Sequence, residues 1–163
     1  MTSTEEQDLY LKVKKALHSF FENDSDLLHL NVNERSITHK LAEHLQNSFS
    51  GLKVDCEYNR KGDNKKSEKV LANNEKVFPD IVVHKRGTNN KNLLVIETKK
   101  KGRSIKRDIE KLEEFSGFLY GYKIGLLLVF DVEKKSLNKV VCFQNGKIKP
   151  NTIWDGLKDI GNE

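Results

Sequence analysis

Two short apolar runs, each carrying an acid, constrain this chain more than any other feature. Val77-Phe78-Pro79-Asp80-Ile81-Val82-Val83 and Leu93-Leu94-Val95-Ile96-Glu97-Thr98-Lys99 both read as β-strands. Their apolar residues are nearly continuous rather than alternating, so both faces are covered, as in a central sheet. The polar segment from Lys85 to Asn92 reads as the turn of a hairpin joining them. An acid inside such a run is costly to bury unless something compensates its charge. Asp80 and Glu97 on neighbouring strands, with Lys99 two residues beyond Glu97, point to a divalent-metal site beside a general base.

The rest of the chain supplies layers for that sheet. Residues 5–22 read as a helix with Leu9, Val13, Leu17 and Phe20/Phe21 on one stripe, broken at Asn23-Asp24-Ser25-Asp26. A second helix runs from about Asn33 to Phe49 on Ile37, Leu41, Leu45 and Phe49, with Asn31 or Asn33 as N-cap. Leu52 to Tyr58 alternates as a half-buried strand, and Asn59 to Lys76 is a long polar loop. A third helix spans about Ser104 to Tyr120, its stripe formed by Ile105, Ile109, Leu112, Phe115 and Leu119. Ile124 to Phe130 and Lys139 to Phe143 read as further strands, and Asn145-Gly146 as a turn. Residues 150–163, with Trp154 and Leu157, form a docking segment. One domain over 1–163 is expected, with a core of about 33–143.

Charge is unevenly placed. Residues 59–107 hold 15 basic and 5 acidic side chains, net +10, against net −4 before and net −1 after. That excess surrounds the two acid motifs, as a polyanionic substrate requires. The longest apolar run, Leu126 to Phe130, is too short to span a bilayer, and the acidic N-terminus lacks a signal-peptide layout. A cytoplasmic protein is expected. Cys56 and Cys142 lie in strand-like runs without metal spacing and read as reduced core thiols.

The element order around the acids resembles the PD-(D/E)XK nuclease superfamily, from about Asn33 to Phe130. The resemblance implies an α/β, restriction-endonuclease-like core, a central mixed sheet flanked by helices in the order αβββαβ, with an extra N-terminal helix. It implies that Asp80 and Glu97 hold Mg²⁺ or Mn²⁺ and that Lys99 completes the catalytic set. A glutamate from the preceding helix often joins such sites, and Glu34 fits that role. Thr98 points away from Glu97 and Lys99 and offers its backbone carbonyl as a metal ligand. Magnesium favours such hard oxygens, and a bound ion polarises phosphate and water.

Nucleic-acid contacts are expected from Arg60, whose fork suits a phosphate, from the loop lysines Lys61, Lys65 and Lys66, and from Lys111; Lys69 follows in the same loop, where solvated charge is the plain reading of a lysine. Lys111 is within reach of the site from the third helix, whereas Asp108 reads as its i,i+3 surface partner. His39 and His44 read as helix-surface or boundary residues and His84 as a strand end. The expected activity is metal-dependent phosphodiester hydrolysis in defence, repair or recombination, with DNA as the expected substrate. The alternative is a non-cleaving nucleic-acid-binding module on the same fold. Junction resolution would require a homodimer.

Overall fold

The computed structural model describes residues 1–62 and 67–161. Its helices are α1 (Ser3–Asp24), α2 (Asp26–His29), α3 (Glu34–Ser48) and α4 (Lys106–Ser116), and its strands are β1 (Lys53–Cys56), β2 (Ile81–His84), β3 (Asn92–Lys100), β4 (Ile124–Asp131), β5 (Ser136–Gln144) and β6 (Lys147–Lys149). A 3₁₀ turn, Ile153–Asp159, follows. The strands form one mixed α/β sheet in the order β1-β2-β3-β4-β5-β6. Among the described residues only β3 and β4 pair in parallel, and α4 is the crossover between them.

Each sheet face is covered, as the continuous apolar runs require. Ile81, Val83, Leu94, Ile96, Leu126 and Leu128 meet α1 and α3 on one face. Val82, Val95, Leu127 and Val129 meet Leu112 and Phe115 of α4 on the other. Gly125 lets α4 come close: a Cβ there would sit 3.3 Å from Leu112 Cδ2 and 3.2 Å from Phe143 Cβ. Thr2 and Glu5 form a capping box at the start of α1, and the Asn33 side chain accepts from Ser36 N at 3.2 Å to cap α3. Trp154 is fully buried and donates to Glu6 Oε1 at 2.9 Å, docking the C-terminal segment on α1. Among the described residues no helix is long and apolar enough to cross a membrane.

Several expected boundaries shift. β1 stops at Cys56 because Glu57 turns left-handed (φ 52°). Cys56 is exposed rather than a core thiol, since it ends an edge strand flanked on one side only; Cys142 is buried. β2 begins after Pro79-Asp80: Pro79 has no N–H, and the Val77 N–H goes to Lys69 O at 3.0 Å instead of the ladder. α4 ends at Ser116, before Gly117, so Leu119 swings out to 45% exposure and Tyr120 is buried in its place. His44 is tied to Asp24 at 2.7 Å, while His39 stays on the surface beside Glu43. His84 ends β2 but is buried, bonded to Asp55 Oδ2 at 2.9 Å.

The loop before β2 holds a second departure. Lys69 is not a solvated loop charge but 1% exposed. Its ammonium donates to Tyr58 O (2.8 Å) and Arg60 O (2.7 Å) and lies 4.7 Å from the Tyr58 ring centroid. Burial pushes its pKa down to about 8 from the ordinary 10.5. The folded state thus gives up this proton sooner than the unfolded chain, and the stability linked to it is present above 10.5 and lost as pH falls through 8. Relative to Lys69→Met, wild-type stability should rise by about 1–3 kcal/mol between pH 8 and 10.5, since the two carbonyl acceptors offset part of the burial cost. Urea unfolding across that range checks this; parallel profiles for the two proteins would refute it.

Candidate active site

Asp80 stands immediately before β2, where the antiparallel register Ile81↔Ile96 sets it beside Glu97. Its Oδ2 accepts from the Thr98 N–H (2.8 Å) and the Thr98 hydroxyl (3.0 Å). The Thr98 hydroxyl also lies 2.7 Å from that of Thr38 on α3, which in turn lies 2.9 Å from Glu34 O. Each hydroxyl has one proton to give: Thr38 donates to the Glu34 carbonyl and Thr98 to Asp80 Oδ2, so the two hydroxyls meet without a proton left over for each other. Thr98 therefore contributes its side chain as well as its backbone. N–H and C=O of one strand residue project to the same side, so the Thr98 carbonyl also faces the Asp80 edge.

Glu97 is fully buried, and its Oε1 is 3.4 Å from the Asp80 N–H, a long contact. Its main partner is Lys111 of α4, 2.5 Å from Oε2. Burial, then the Asp80 charge, pushes the Glu97 pKa well above the carboxylate range, against the pull of Lys111. Lys99 lies between Glu34 Oε1 (3.1 Å) and Asp108 Oδ1 (3.3 Å). Burial lowers its pKa, but the hydrogen bond it donates to Glu34 and the charge of Asp108 outweigh that and hold it above the usual lysine value. This is an ammonium poised to stabilise negative charge, not a free base.

Glu34 commits both oxygens elsewhere than to a metal: one to Lys99, the other to the Lys100 N–H at 2.9 Å. In this arrangement it positions the end of β3. Asp108 is not a surface residue paired with Lys111. It is 5% exposed and pairs with Lys99, while Lys111 reaches across to Glu97. A sequence signal for this existed: Asp108 falls one turn before Leu112 and two before Phe115, inside the buried stripe of α4. Burial is the main cause of a raised Asp108 pKa, opposed by Lys99. Its Oδ2 is buried without a hydrogen-bond partner among the described residues.

The described part of the expected nucleic-acid loop, 59–62 and 67–76, does not come to these residues. It leaves β1 beside Asp80, then folds back along the sheet. Gly62 N donates to Asn89 Oδ1 in the β2–β3 turn, and Lys61 lies over the Tyr120 ring at 5.6 Å. Tyr120 O is held by Asn92, the first residue of β3. Lys61 thus lies toward the Asn92 end of β3, away from Glu97. Arg60 is exposed and paired with Glu68 at 3.4 Å. Lys65 and Lys66 lie outside the described residues. The basic segment adjoining the acids is instead the β3–α4 connection, with exposed Lys101 and Arg103.

Asp80 and Glu97 with the Thr98 carbonyl form a set of hard oxygens that suits Mg²⁺ or Mn²⁺. Asp80 Oδ1 has no hydrogen bond to the described residues, which leaves it open to a ligand. Among the described residues no three acid, histidine or cysteine side chains converge as a ready-made metal cluster. A cavity of about 680 Å³ lies at the opposite end of β3, lined by Leu9, Phe49, Leu52 and Leu93, away from the acids. Compared with protein-family models and with curated proteins, the chain matches none.

Proposed function

We propose that this chain is a metal-dependent nuclease of the PD-(D/E)XK type with a restriction-endonuclease-like core, hydrolysing phosphodiester bonds, with DNA as the substrate class. The observation that carries this is Asp80 meeting Glu97 across paired strands, with Lys99 on the same strand and the same face as Glu97. The order α3-β1-β2-β3-α4-β4 supports it, since it repeats the αβββαβ pattern. Asp80, Glu97 and the Thr98 carbonyl would hold the ion. A bound divalent ion would polarise the scissile phosphate and acidify its water. Lys99, kept protonated by Glu34 and Asp108, steadies charge on the phosphate. Glu34 acts through Lys99 rather than as a ligand. Lys101 and Arg103 supply phosphate contacts, and such binding weakens steeply with salt.

One observation favours the non-cleaving alternative: Glu97 and Lys99 are both engaged in ion pairs. A digestion panel decides between them, using linear, circular, single-stranded and branched DNA with Mg²⁺ or Mn²⁺. Wild type should cut at least one substrate, and Lys99→Ala should cut it about 100-fold more slowly at matched protein and salt. Equal cutting by both would place the activity elsewhere. Salt-sensitive binding by both without cutting would make the binding module the better reading.

A further inference from the structure

Resting on the metal-site reading above, we propose that Lys111 is the resident counterion of the site, and that a divalent ion enters by exchange with its ammonium. A carboxylate as buried as Glu97 needs a cation or a full set of donors. Here its short contact is to Lys111, at 2.5 Å, and its other oxygen has only the long approach of the Asp80 N–H. The ammonium thus fills the charge role of an ion between α4 and β3. A lysine suits this better than an arginine, being a compact point charge on a flexible stem.

The same helix offers the displaced ammonium a place to go. Asp108 is three residues before Lys111, so the two side chains are neighbours on α4. Asp108 Oδ1 takes Lys99, but Oδ2 is buried and has no partner among the described residues. An orphaned buried oxygen calls for an explanation. As the receiving position for Lys111, it has one: the ammonium moves from Glu97 to Asp108, and Glu97 is released to the ion. No proton is lost and the total charge of α4 is unchanged.

The test is Mn²⁺ binding by calorimetry in wild type, Lys111→Gln and Lys106→Gln. Glutamine keeps a donor toward Glu97 without the competing charge. Lys106 is an exposed lysine on the same helix and controls for the general field. Lys111→Gln should bind Mn²⁺ about tenfold tighter or more, and Lys106→Gln within about twofold of wild type, as expected for a charge in contact against a screened one. A folded Lys111→Gln that binds no tighter than wild type overturns the exchange. Absence of Mn²⁺ binding in all three proteins overturns the metal-site reading itself. Should Lys111→Gln fail to fold, NMR of the Lys111 side-chain ammonium in wild type answers the question. Its resonance should move on Mg²⁺ saturation in wild type and stay in Asp80→Asn; a resonance unmoved in both at saturation overturns the proposal.

Discussion

Asp80→Asn should slow magnesium-dependent cleavage about a thousandfold, roughly 4 kcal/mol in the barrier, while leaving DNA affinity equal or higher. The amide preserves size, and its oxygen can still accept from the Thr98 N–H that Asp80 Oδ2 now meets at 2.8 Å. The strand pairing around Ile81 therefore has no reason to change. What is lost is the negative charge that would face the ion, and with it a repulsion toward phosphate. Single-turnover cleavage in Mg²⁺ and filter binding in chelator, on the same substrate, read the two effects separately. An unchanged cleavage rate would remove Asp80 from the reaction; a parallel loss of binding would show that it serves the fold or the substrate instead.

Lys111→Met should destabilise the ion-free protein by about 3–5 kcal/mol, because it leaves the Glu97 carboxylate buried without its cation. In a chain of this size that is a fall in Tm of about 10 °C. Two further arms identify the cause. Mg²⁺ should restore part of the loss by binding the folded state. Glu97→Gln combined with Lys111→Met should recover most of it, since removing both charges leaves neither unpaired. Thermal melts in chelator and in Mg²⁺ measure all arms. A Lys111→Met melting point equal to wild type in chelator would show that the contact carries little stability.

The sheet and the placement of Glu97 and Lys99 on β3 were legible because they rest on local pattern. Continuous apolar runs announced strands covered on both faces, and a two-residue spacing put Glu97 and Lys99 on one side. The Asn33 cap and the stripe Ile37, Leu41, Leu45 were likewise written in periodicity. What escaped depends on contacts across long separations. Asp108 and Lys111 look like partners by spacing, yet each finds a stronger partner on β3, where desolvation raises the value of an opposite charge. Glu34 bonds a backbone N–H sixty-six residues away, for which no side-chain pattern exists. Lys69 sits among loop lysines that composition marks as solvated, and only the folded-back path of its loop buries it under Tyr58. Arg60 and Lys61 leave the sheet at the right end, but the left-handed turn at Glu57 opens a reversal that composition does not encode.

The parallel pairing of β3 with β4 has a kinetic consequence. β2 and β3 are joined by a short turn, so Asp80 and Thr98 meet with little loop-closure entropy. β4 reaches β3 only after α4 has crossed over, a pairing of higher sequence separation and slower formation. Lys111 and Asp108 ride on that crossover. The half-site on the hairpin is therefore expected to assemble early and the α4 half late, so that a nascent chain holds an incomplete constellation until its crossover docks. Pulse-labelled hydrogen exchange during refolding would display the order, with amides of Ile81 and Ile96, which face each other across the hairpin, protected before those of Leu112.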